Sequence, residues 1–125
     1  MLGPGDLVLA IDDEPDFRLL VTEMLSDAGY RVATAADGRA ALASVANEMP
    51  ALILLDIRMR GMDGETFLQQ FRRQYGAQTP VVLLSADTDS ACAVDLAGRG
   101  QILPKPFDID DLLAAVGSLL LLSPE

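Results

Sequence analysis

The sequence predicts an α/β domain built on a five-stranded parallel sheet with helices on both faces. Short continuous apolar runs alternate along the chain with longer stretches whose apolar residues recur at helical spacing. The runs are apolar throughout rather than at every second position, which is the pattern of strands covered on both sides. At 125 residues, half of them hydrophobic, the chain has the size to bury one core, so residues 1–125 are expected to form a single domain.

The first run, Leu7–Ile11, reads as strand one. A helix follows, with Pro15 suited to its first turn and Gly29 to its stop. Phe17, Leu20, Val21, Met24, Leu25 and Ala28 fall at i, i+3, i+4, i+7, i+8 and i+11, so they are expected to form one buried stripe. Strand two lies around Arg31–Ala35. The second helix, at 38–49, is expected to bury Leu42, Val45, Ala46 and Met49 and to halt before Pro50. Strand three is Ala51–Leu55, followed by a loop through Met62, Asp63 and Gly64. The third helix sets Phe67, Leu68, Phe71 and Tyr75 on one side, and Gly76 to Pro80 break it before strand four, Val81–Leu84. Between Asp87 and Gly98 the small residues Ala91, Cys92, Ala93 and Ala97 suggest a short fourth helix. Strand five is Gln101–Leu103. Asp108 then suits the N-cap of a last helix with Ile109, Leu112, Leu113, Val116, Leu119 and Leu120 on its inner stripe.

A formal net charge of −10, no His, and nine scattered Lys and Arg argue against direct nucleic-acid binding, which needs a clustered basic face. Apolar stretches such as Ala51–Leu55 and Leu119–Leu122 are too short to cross a membrane. The single Cys92 forms no internal disulfide, and there is no Cys/His cluster for zinc or an iron–sulfur centre, so a soluble protein of the reducing cytoplasm is expected.

Four strands end in a reactive or charged group: Asp12 and Asp13 after strand one, Asp56 after three, Ser85 after four and Lys105 just beyond five. A parallel sheet brings these ends to one edge, where open α/β sheets bind ligands. Three carboxylates there repel one another unless a cation intervenes. Oxygen ligands without imidazole or thiolate favour a hard ion, Mg²⁺ or Mn²⁺. A carboxylate beside such an ion can attack a phosphoryl group, with Asp56 as nucleophile, Lys105 as the ammonium and Ser85 as a hydroxyl donor.

Ile11-Asp-Asp-Glu-Pro15, Leu54-Leu-Asp-Ile-Arg58, Met62-Asp-Gly64, Leu84-Ser-Ala86 and Leu103-Pro-Lys-Pro-Phe107 together resemble the receiver domain of two-component response regulators, over roughly residues 6–122. The resemblance implies a flavodoxin-like sheet of order 2-1-3-4-5, which places strand five at an edge where Pro104 is tolerated. It implies that Asp56 accepts a phosphoryl group from the phosphohistidine of a histidine kinase or histidine phosphotransfer protein. Asp13, Asp56 and the backbone carbonyl of Arg58 would hold Mg²⁺, with Asp12 acting through metal-bound water. The Ser85 hydroxyl would move toward the phosphoryl group, Lys105 would pair with it, and the Lys105–Pro106 peptide would be cis. Such a domain is a signalling switch rather than an enzyme, assisting only its own phosphorylation and autodephosphorylation. Its response would leave through the face made by the fourth helix, strand five and the last helix, acting on a partner, an output domain or a second copy of the chain.

Three departures bear on that response. Ile102 stands where many receivers carry an inward-swinging Tyr or Phe, so the loop after strand four, residues 86–98, is expected to carry the signal. Arg60 replaces a common Pro. The segment between Ser85 and Lys105 is short and lean in large apolar residues. Arg58 and Asp87 flank the entrance at positions that in the family tune water access; they form either an ion pair across the mouth or two solvated loop charges. Glu14, Pro15, Phe17 and Leu20 are implied candidates for kinase recognition, and Leu121 or Leu122 for an exposed apolar end. Two other readings compete. A phosphorylation-independent, receiver-like interaction module would not need Asp12, Asp13, Asp56, Ser85 and Lys105 together. An aspartyl-nucleophile phosphohydrolase would carry a second Asp where this chain has Arg58.

Overall fold

A computed structural model of the chain describes residues 6–56, 64–76, 78–85, 100–105 and 107–121. The expected short helix between Asp87 and Gly98, and the expectations placed on Arg58, Arg60, Asp87, Pro106 and Leu122, lie outside them. The described elements are β1 (Leu7–Ile11), α1 (Pro15–Asp27), β2 (Arg31–Ala35), α2 (Gly38–Asn47), β3 (Leu52–Asp56), α3 (Gly64–Tyr75), β4 (Val81–Ser85), β5 (Gly100–Pro104) and the last helix, α4 (Ile109–Leu121). The five strands form one sheet in the order β2-β1-β3-β4-β5, and every neighbouring pair is parallel. This is the flavodoxin-like order, with β5 at an edge and Pro104 at its last position, opposite Ser85.

Side-chain alternation along each strand divides the core into two layers. Val8, Ala10, Leu52, Leu54, Val82 and Leu84 pack under α1 and α4, against Val21, Leu25, Leu112, Ala115, Val116 and Leu119. Leu9, Ile11, Ile53, Leu55, Val81 and Leu83 pack on the other side, against Ala41 and Val45 of α2 and Phe67, Leu68 and Phe71 of α3. Both faces are covered, which is why the inner strands β1, β3 and β4 are apolar at consecutive positions. Each fully buried Leu, Ile or Phe contributes about 1.5–3 kcal/mol relative to an exposed one.

Local chemistry sets the helix ends. α1 closes in a Schellman turn: Gly29 has φ +97°, its N–H donates to the Ser26 carbonyl, and the Tyr30 N–H donates to that of Leu25. Asp37 caps α2 by accepting from the Ala40 N–H at 2.9 Å. Asp108 caps α4 as expected, accepting from the Asp111 N–H at 2.8 Å, while the Asp111 carboxylate accepts from the Asp108 N–H at 3.3 Å.

Several residues expected in the core are exposed. In α1, Val21 and Leu25 point squarely at the sheet, and Leu20, about 100° round the helix from Val21, is 47% exposed. Ala28 lies past the end of that packed face and is exposed. α2 stops at Asn47 and Glu48 is extended, so Met49 leaves the helical stripe and is 44% exposed. The buried line of α2 is Gly38, Ala41 and Val45, with Leu42 half-buried and Ala46 turned outward. Ile109 sits in the first turn of α4 and is 40% exposed, whereas Ala115, outside the expected stripe, is buried. Tyr75, at the end of α3, is 38% exposed.

Candidate functional site

Parallel strands present their C-terminal ends at one edge, and two strands run one residue further than their apolar runs. β3 ends on Asp56 and β4 on Ser85. The Asp12 N–H donates to the Ala35 carbonyl at 3.1 Å, extending the β1–β2 ladder past Ile11. The Lys105 N–H donates to the Ser85 carbonyl at 2.9 Å, extending the β4–β5 ladder past Pro104. These ladders fix the site backbone as rigidly as the sheet.

Among the described residues the buried polar and charged side chains are Asp12, Asp56 and Ser85, all at this edge. Burying carboxylates is costly unless they are paired, so their concentration marks the edge as more than structural. Asp12 Oδ1 accepts from the Glu14 N–H at 2.9 Å, and its carbonyl accepts from Arg18 Nη1 at 2.7 Å. Its Oδ2 lies 3.1 Å from Lys105 Nζ, which is also 3.5 Å from Asp56 Oδ2. Burial pulls the Lys105 pKa down as the largest single influence. The hydrogen bond to Asp12 and the charges of Asp56 and Asp12 together outweigh it, and the net shift is upward.

Asp13 is half-buried beside them, and Asp12, Asp13 and Asp56 each offer a carboxylate oxygen, all within 4.8 Å of one another. Three negative charges against the one ammonium leave a formal −2. Three carboxylate oxygens this near one another, with no imidazole or thiolate, and their excess negative charge fit a small, hard divalent cation that retains some water.

Asp12, Asp13, Asp56 and Lys105 therefore converge at this edge, and Ser85 ends the strand beside Asp56. Ile102 is half-buried on the opposite face of the sheet, against the layer under α2 and α3. Arg58, Asp87 and Pro106 lie outside the described residues. Sequence reasoning missed Arg18, and it named Phe17 for kinase recognition without its contact to Lys105. Arg18 holds the Asp12 backbone, and a cation so near the unfavourable N-terminal end of a helix was the available signal. The Phe17 ring lies under Lys105, with Nζ 4.5 Å from its centroid, and meets Phe107 edge-to-face at 5.8 Å and 86°. Beside this pair runs a groove of about 410 Å³, walled by Phe17, Leu20, Val21 and Met24 of α1 and by Lys105 and Phe107, with Glu14 at its rim.

A family model described as the response regulator receiver domain matches residues 8–117. The chain is 37% identical over 112 residues to the DNA-binding transcriptional regulator NtrC of Salmonella typhimurium, covering 88% of this chain and 24% of that protein. It is 39% identical over 110 residues to the nitrogen assimilation regulatory protein NtrX of Azorhizobium caulinodans, covering 85% and 24%. The chain thus spans about a quarter of the length of these relatives. Among solved structures it is similar to the receiver domain of NtrX from Brucella abortus, with a TM-score of 0.85 at 34% identity over 93% of this chain and 99% of that one. It is also similar to the chemotaxis protein CheY4 of Vibrio cholerae, with a TM-score of 0.82 at 35% identity over 92% and 98%.

Proposed function

Because the chain belongs to the response regulator receiver domain family, whose members are phosphorylation-controlled signalling domains of two-component systems, we propose that Asp56 is its phosphoacceptor. The observation that carries this reading is the reach of Lys105 to both Asp12 and Asp56 at the end of the sheet. An Asp56 carboxylate oxygen attacks phosphorus, the new P–O bond forms, and the P–N bond of a phosphohistidine breaks with its electron pair leaving on the imidazole. β3 fixes the backbone of Asp56 at the end of the sheet, where the incoming group would meet it. Lys105 is near enough to pair with a phosphoryl oxygen, and Ser85, at the end of the adjacent strand, supplies a hydroxyl to another.

Asp13, Asp56 and the Arg58 backbone carbonyl would hold Mg²⁺ or Mn²⁺, with Asp12 engaged through water while its oxygens serve Glu14 and Lys105. Bound there, the ion supplies positive charge to the transferring oxygens. Arg58 and Asp87 set how readily water reaches the acyl phosphate.

The donor is a histidine kinase or histidine phosphotransfer protein, and the groove along α1 is where it seats, beside Glu14, Phe17 and Leu20. The output leaves through β5, the segment before it and the last helix, reaching a partner, an output domain or a second copy. With a net charge of −10 the chain itself does not contact nucleic acid. It acts in the cytoplasm, and among the described residues no helix is long and apolar enough to cross a membrane.

Incubation with phosphoramidate or acetyl phosphate and Mg²⁺, read by intact mass, tests the reading. The parent gains one phosphoryl group and Asp56→Asn gains none. A parent that stays unlabelled with both donors would instead identify a phosphorylation-independent interaction module.

A further inference from the structure

Resting on the role assigned to Lys105 above, we propose that Phe17 is the positioning residue for Lys105, and that its ring reports the state of Asp56 to the groove along α1.

An ammonium offers three N–H directions. Asp12 Oδ2 at 3.1 Å and Asp56 Oδ2 at 3.5 Å account for two sides of Nζ, and the Phe17 ring, 4.5 Å away, covers another. The face of a phenyl ring is electronegative, and it attracts a cation more strongly as water is withdrawn. Here the lysine side chain is only 20% exposed. An aliphatic side chain of similar bulk would fill the space without attracting the charge.

Phe17 is itself held in place. It packs against the core layer that contains Val21 and Leu25, and Phe107 meets it edge-to-face. Phe107 lies two residues beyond Lys105, so the segment that carries the cation also braces the ring. A phosphoryl group on Asp56 adds roughly two negative charges and draws the ammonium toward it and off the ring. Lys105, Phe17 and Phe107 all wall the same groove, so that movement alters the groove's charge and shape together. Ile102, on the opposite face of the sheet, provides no aromatic response of its own. The aromatic reporter lies instead on the α1 side, where an unphosphorylated domain can be told from a phosphorylated one.

Lys105 is the single lysine of the chain, so lysine labelled with ¹³C at the ε carbon yields one assignable methylene signal. In the metal-free parent its protons should be shifted upfield by the ring current of Phe17, and beryllofluoride with Mg²⁺ should return them toward the ordinary position. Phe17→Leu should abolish the upfield shift and slow phosphorylation by phosphoramidate about fivefold, equivalent to about 1 kcal/mol of barrier. Phe17→Tyr, which keeps the ring face, should stay within about twofold of the parent. An ordinary ε-methylene shift in the parent overturns the proposal, as does a Phe17→Leu protein that is phosphorylated as fast as the parent. The parent spectrum decides alone if Phe17→Leu folds poorly. A parent that takes no label, or an Asp56→Asn protein labelled equally well, defeats the phosphoacceptor reading itself; a labelled parent with an unshifted lysine signal defeats only the role of Phe17.

Discussion

Lys105 and Asp12, 93 positions apart in the chain, meet at 3.1 Å across the end of the sheet. The contact ties the end of the first strand to the end of the last. Burial lowers the lysine pKa, but this contact together with the charge of Asp56 holds it above its ordinary value. The folded protein therefore binds this proton more tightly than the unfolded chain, so the stabilisation is fully present below the unfolded pKa of about 10.4. It is lost as pH rises through the higher folded value. In metal-free urea titrations, the stability difference between the parent and Lys105→Met should be constant from about pH 8 to about pH 10 and shrink above that. A difference that grows with pH in that range would contradict the assignment.

The acidic trio outnumbers its cation, so removing one carboxylate should relieve repulsion when no metal is present. Asp13→Asn, half-buried and at the margin of the trio, should raise metal-free stability by about 0.5–1 kcal/mol. The same change should weaken Mg²⁺ binding. For the parent, Mg²⁺ at about 100 times its dissociation constant should add about 2.7 kcal/mol, and thermal melts with and without the ion should show most of that gain missing in Asp13→Asn.

Leu54 lies in the central strand, fully buried beneath α1 and α4. Leu54→Ala should cost about 2–5 kcal/mol, according to how far the layer collapses into the cavity. Chemical denaturation with an unchanged slope would report this loss cleanly.

At the start of α4, Asp108 and Asp111 satisfy each other's backbone N–H groups. Asp108→Ala should cost about 1 kcal/mol, with Asp108→Ser recovering most of it in the same denaturation experiment.

The three inner strands, β1, β3 and β4, could be read directly from the sequence because each is buried on both sides and therefore apolar at consecutive positions, whereas the edge strands β2 and β5 are only partly buried and carry polar residues. The site could be read for a related reason: a polar residue that follows such a run without a break has to sit at the strand's end. Helix faces were less decipherable. Periodicity identifies a stripe, but not where along its length the sheet stops covering it, and Leu20, Met49 and Ile109 fall outside that cover. The placement of Phe17 under Lys105 had no local signal, because it depends on how closely α1 approaches the segment after β5, a distance fixed by the packing of two helices on one face of the sheet.

The strand order has a consequence for the history of each molecule. No contiguous fragment short of residue 105 contains a finished site, because the acidic residues come from β1 and β3 while their counter-charge arrives with the end of β5. During synthesis the carboxylates of β1 and β3 emerge before their counter-charge, and the contact between Asp12 and Lys105, which spans 93 positions, is the long-range closure. The candidate site is therefore assembled late, when the final strand docks and carries Lys105 to Asp12 and Asp56.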